Sequence, residues 1–250
     1  MRSTLVRRCV LTASAVSLTL LATACGAGGS EDAKADATPS AAASAPAAKA
    51  RTDAELSALL VTKAELPAYE FAAVPPTEVA VGTAATGDRA ECLPVVRTQG
   101  TVTVGTAAGV ARTKVIALPK EGATPEEKIA AGLKALGATR TSVTLASYEG
   151  KGAEEALAAV KAAAKACAGG FTLTMEGEST KIDKVVSAAA AGGDEALALT
   201  LEADVEGVKV TSETVVVRKG NTLATHTASS FTGVADKPEA VVAAQVAKLG

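Results

Sequence analysis

The sequence predicts an α+β fold, a largely antiparallel sheet with helices packed on its core face. Three observations predict it. The last third carries a series of alternating apolar runs, 171–175, 182–190, 197–205, 208–217 and 223–230. Short turn signals join several of them: Gly192-Gly193-Asp194, Glu206-Gly207 and Gly220-Asn221. Such brief connections only join antiparallel neighbours. The third observation is a long Ala-rich segment of helical period just upstream.

The elements follow in chain order. Thr52-Asp53-Ala54-Glu55 is a capping-box pattern, after which Leu56, Leu59 and Leu60 share a helical face. A second box, Thr62 to Glu65, is stopped by Leu66-Pro67. Residues 69–74 form a short strand, and 75–91 read as loop. Cys92-Leu93-Pro94-Val95-Val96 starts a helical turn, and the β-branched run 101–118 reads as strand. Thr124-Pro125-Glu126-Glu127 caps a helix reaching Leu136, ended by Gly137. A strand spans 139–148. In the helix 150–168, Ala153, Leu157, Val160, Ala164 and Cys167 form one apolar stripe, opposite Glu154, Glu155, Lys161 and Lys165. In the run 197–205, Leu197, Leu199, Leu201, Ala203 and Val205 face one way, Glu202 and Asp204 the other. Asp236, Pro238 and Glu239 open a last helix with Val242, Val246 and Leu249 on its inner face.

The beginning of the chain is different in kind. Arg2, Arg7 and Arg8 precede an apolar run at 10–21, too short to cross a bilayer comfortably. Leu21-Ala22-Thr23-Ala24-Cys25-Gly26 then resembles the lipobox of bacterial lipoproteins, in which the cysteine thiol is acylated and becomes the new N-terminus. Residues 1–24 are thus expected to be a signal peptide, exported by the general secretory or the twin-arginine route, and Cys25 the lipidated residue. Residues 25–50 are rich in Gly, Ala, Ser and Pro with almost no large apolar side chain; they read as a disordered tether. Residues 51–250 make one globular domain. The alternative is an ordinary cleaved signal with a chance cysteine.

Four cysteines occur in the chain. With Cys9 in the signal and Cys25 lipidated, Cys92 and Cys167 remain. Two cysteines left in an exported domain point to one disulfide, the alternative being two buried free thiols.

Several function classes are disfavoured. Aromatics make up 2% of the chain and the net charge is −2, leaving neither stacking platforms nor a basic footprint for nucleic acid. The single histidine, His226, cannot build a multi-histidine metal cluster and reads as a polar residue of its strand. No nucleophile-elbow or phosphate-loop pattern occurs. No cofactor, metal site or catalytic residue is assigned, and the chain is expected not to be an enzyme. Gly192-Gly193-Asp194-Glu195 reads as a turn rather than a ligand loop. Glu126-Glu127 and Glu154-Glu155 complement helix N-termini.

An ordered set of short motifs remains. They are the lipobox, Leu60 to Tyr69 (LVTKAELPAY), Glu91-Cys92-Leu93-Pro94, Ser147-Tyr148-Glu149, Ala166-Cys167-Ala168-Gly169-Gly170-Phe171, Gly193 to Ala196, and Val215 to Gly220 (VVVRKG). This set resembles a group of actinobacterial surface lipoproteins similar to the extracellular sensor domain of PknH-type serine/threonine kinases. The resemblance implies an antiparallel sheet with flanking helices, disulfide bracing and a cleft for an unidentified ligand. The expectation is therefore a lipoprotein on the extracellular face of the cell membrane. Its partners would be the membrane, through the lipid anchor, and a small-molecule, lipidic or envelope-protein ligand. The alternatives are a structural or accessory envelope protein without a small-molecule site, or an envelope hydrolase. A largely apolar cavity of several hundred Å³ on the sheet face would favour the ligand-binding reading.

Overall fold

A computed structural model describes residues 49–117, 124–127, 129, 137–230 and 233–250. All of them belong to one compact unit, Ser44–Gly250. The expected signal peptide, Cys25, the expected tether as far as residue 48 and most of the helix expected up to Leu136 lie outside the described residues; Ala50, expected as the tether's last residue, is already buried in the domain.

Thr52 caps α1 (Asp53–Leu59): its hydroxyl accepts from the Glu55 amide at 3.3 Å while its own amide donates to Glu55 Oε2 at 2.7 Å. Half of the second box forms: the Thr62 amide donates to Glu65 Oε2 at 2.8 Å, while the Glu65 amide donates to the Thr62 carbonyl. Leu66-Pro67 stops the chain after one turn, so it caps a turn and no helix. Strand β1 (Tyr69–Ala72) follows. The segment 75–91, expected to be loop, instead holds α2 (Pro76–Ala84) and the two-residue β2 (Thr86–Gly87). Pro76 at the first helical turn starts α2, where a missing N–H costs nothing. Only Gly82 of this helix is buried, because its backbone lies against Gly100 closely enough that a Cβ at either would collide.

A 3-10 turn, Ala90–Cys92, leads into α3 (Leu93–Gln99). Strand β3 is confined to Gly109–Ala117. The β-branched stretch before it is irregular, with positive φ at Thr101 and Gly105. The Thr124 cap forms, its hydroxyl accepting from the Glu127 amide at 3.2 Å. Then come β4 (Arg140–Ser147), α4 (Gly152–Ala166), β5 (Phe171–Met175), β6 (Glu178–Ala189), β7 (Glu195–Val205), β8 (Val208–Lys219), β9 (Thr222–Ser229) and α5 (Glu239–Leu249). At the β7–β8 turn, Glu206 and Gly207 both have positive φ, the backbone that a tight two-residue hairpin requires.

The strands form one nine-stranded sheet in the order β1-β3-β4-β9-β8-β7-β6-β5-β2, each neighbour antiparallel. Alternation along the strands feeds two apolar layers. Leu157 and Val160 of α4 and Val95 and Val96 of α3 pack with Ala146, Leu199, Leu201 and Val216. The residues between those strand positions point the other way: Val143, Leu145 and Ala224 pack with Leu56 of α1 and Val241 and Leu249 of α5. The helices thus cover the sheet from both sides. The expected stripe of α4 is buried throughout, and so are Leu197, Leu199, Leu201 and Ala203 of β7. Val205, at the hairpin tip beyond the helices, is 42% exposed.

The inner face of α5 differs from the expected one. Val241, Val242, Gln245 and Leu249 are buried, and Val246 is only half-buried. Gln245 is inside because it satisfies two backbone groups at the end of α1. Its Oε1 accepts from the Val61 amide at 3.1 Å and its Nε2 donates to the Leu59 carbonyl at 2.8 Å.

A groove between the last helix and the sheet

Helix α5 packs over β8 and β9. The side chains of β6 and β7 that alternate away from the α4 layer therefore meet no helix directly above them. The result is a groove of about 690 Å³, within the range of small-molecule sites. Its floor is Val186 and Ala188 of β6, Ala198 and Thr200 of β7, and Glu213 and Val215 of β8. Its wall is Val242, Ala243 and Val246 of α5. The depth comes from the small side chains at 188, 198 and 243; larger ones would fill it. Ala190-Ala191-Gly192 bound one end and Lys237-Pro238-Glu239 the other.

The polar content is sparse and specific. Thr200 Oγ1 donates to Glu213 Oε2 at 2.9 Å, which anchors the carboxylate on the floor. Lys237 and Glu239 stand exposed at the rim. The lining contains no histidine, cysteine or serine.

His226 pairs with Val215 across β8 and β9, next to the floor, but is fully buried in the core. Its Nδ1 donates to the Val215 carbonyl at 3.2 Å, and Nε2 has no partner among the described residues. Burial pushes its pKa down to about 4, so the ring is neutral at neutral pH.

Cys92 and Cys167 are joined in a disulfide, with Cα atoms 5.8 Å apart. It ties the 3-10 turn to the C-terminal end of α4, in the apolar layer on the other side of the sheet from the groove. Arg89 reinforces that corner by donating to the Ala166 carbonyl at 3.1 Å. The Gly192-Gly193-Asp194 segment is a turn: Asp194 Oδ2 accepts from the Gly220 amide at 2.6 Å and pairs with Arg218 at 3.2 Å. Gly192 nevertheless borders the groove, since a Cβ there would reach Val246 at 3.4 Å.

No family model matches the chain, and no curated protein matches it. Among solved structures, it is similar to the extracellular domain of PknH from Mycobacterium tuberculosis, at 14% identity over 80% of this chain and 97% of that one, with a TM-score of 0.49.

Among the described residues, no three His, Cys, Asp or Glu side chains gather as a metal site requires. No described helix is long and apolar enough to cross a membrane. The groove is the feature that sequence reasoning did not locate. Its floor positions alternate with the buried ones and read as the outer face of the sheet. The only available signal was their character: Val186, Ala188, Ala198 and Val215 are apolar where an outward face would be charged.

Proposed function

We propose that this chain is a non-enzymatic lipoprotein of the cell envelope that binds a small apolar or lipidic molecule in the groove between α5 and β6–β8. In this reading residues 1–24 are removed, Cys25 is acylated, and 25–50 tether the domain to the extracellular face of the cell membrane. The observation that supports ligand binding most is the groove itself. It is concave and floored mostly by small apolar residues, and its polar groups are the Thr200–Glu213 pair on the floor and the residues of the rim. Such a shape suits a flexible apolar body with a polar end. A protein partner would be better served by a flat patch. Catalysis on envelope material gains no support from the lining, whose floor carboxylate is already held by Thr200.

The test is mass spectrometry of organic extracts from natively purified protein, wild type against Ala198→Trp, which fills the floor. An apolar molecule retained by the wild type and depleted in the folded variant is the expected result. Equal recovery from both, or no bound molecule, would refute the reading.

A further inference from the structure

A second concavity lies on the opposite side of the sheet, between α2, α3, the 102–105 segment and β3. It measures about 450 Å³, and the only charged side chains lining it are Arg97 and Arg112. Arg112 is on this side because Ala111 and Val115, its alternating neighbours, point into the layer beneath α1 and α5. Arg97 projects from the last turn of α3.

Among the described residues neither guanidinium pairs with a carboxylate. Arg97 Nη1 donates to the Thr83 carbonyl at 2.8 Å, and Arg112 Nε donates to the Thr101 carbonyl at 2.6 Å. Those neutral acceptors fix each group in place while leaving most of its five N–H donors unused. Among the described residues no carboxylate lies within ion-pair distance of either. The nearby acids are committed elsewhere. Glu78 of α2 pairs with Lys114, and Asp53, whose charge Arg112 feels, accepts from the Val110 amide at 2.7 Å. Burial pushes the Arg112 pKa down, yet guanidinium remains charged at any physiological pH. Among the described residues, these two half-buried, immobilised positive charges have no carboxylate in direct contact. Val79, Leu93, Pro94 and Val104 supply an apolar wall beside them.

We propose that this cleft binds a small organic oxyanion, a phosphate ester or a carboxylate, with the two arginines on the oxygens and the substituent against the apolar wall. Guanidinium is suited to this task because it offers paired N–H donors to two oxygens at once. The site is independent of the groove under α5, from which the sheet separates it.

The experiment is an NMR titration of the ¹⁵N-labelled full-length chain with phenyl phosphate, benzoate, phosphatidic acid vesicles and sodium chloride at fixed ionic strength. Saturable shifts confined to amides of residues 79–112 are expected with phenyl phosphate or benzoate, and none that saturate with chloride. Arg97→Gln and Arg112→Gln should each weaken binding by about tenfold or more, the value of one charge-assisted hydrogen bond. Arg112→Gln also frees the Thr101 carbonyl and can loosen its loop. Arg97→Gln leaves that loop untouched and is the deciding variant, with its fold checked by amide dispersion. The proposal is overturned by the absence of saturation with both organic anions. An equal response to chloride, unchanged affinity in Arg97→Gln, or a response only to phosphatidic acid vesicles would overturn it as well.

Discussion

Replacing both Cys92 and Cys167 by alanine removes a cross-link that closes a loop of 75 residues. Loop-closure entropy for that length gives a ceiling of about 4.5 kcal/mol at 25 °C. Two effects act on the figure. The unfolded chain is already more compact than a random coil, which reduces the loss. Both sulfurs are fully buried between α3 and α4, so alanines leave a small void, which increases it. A net loss of about 2–4 kcal/mol follows. The sheet survives, because β3–β9 pair with one another without using that corner. The assay is urea unfolding followed by far-UV circular dichroism, with native far-UV spectra compared first. The variant should keep the native spectrum, unfold at lower urea and show a steeper transition, since its unfolded state is no longer looped. A midpoint equal to wild type, or two titratable thiols in the denatured, unreduced wild type, would refute the reasoning.

Gln245→Leu should cost about 2–4 kcal/mol by chemical denaturation, because the Val61 amide and Leu59 carbonyl are left unsatisfied; a loss under about 1 kcal/mol would mean water replaces the amide. His226 binds its proton in the unfolded chain near pH 6.5 but in the folded one only near pH 4. Stability from this group is therefore complete above about pH 6.5 and falls as pH drops towards 4, by on the order of 3 kcal/mol. Calorimetric melting at stepped pH checks this, and His226→Gln should flatten the slope in that window. Cys25→Ser should abolish labelling by an alkyne fatty acid and release the protein or leave it unprocessed; a wild-type chain that is processed but unlabelled would end the lipoprotein reading.

Strands β7 to β9 were legible because each alternates and is bounded by turn residues with a definite conformational reason, as at Glu206-Gly207, whereas β6 begins at Glu178, four residues before the expected start. The α4 stripe was legible because five of its positions share one period. What escaped was short or tertiary. Helix α2 has no apolar period to read, since only Gly82 is buried, through backbone contact with Gly100. Strand β2 exists only as two residues borrowed by β5. Gln245 looks like a surface residue until the end of α1 is brought beside it from 184 positions away. The two concavities depend on where α5 and α2 come to rest, and no local pattern encodes that. Arg97 and Arg112 are 15 positions apart in different elements, so their convergence has no sequence signature.

The sheet order carries a consequence for how the chain reaches its final form. Both outermost strands, β1 and β2, come from the N-terminal stretch, yet β1 needs β3 and β2 needs β5 as templates. The end of helix α1 is also tied to a glutamine in the terminal helix. A polypeptide delivered N-terminus first, by ribosome or translocation channel, presents β1 before β3 and β2 before β5, so neither edge strand can pair as it emerges. Two short strands thus flank the seven-stranded sheet of β3 to β9 and leave little exposed edge for a neighbouring copy to extend.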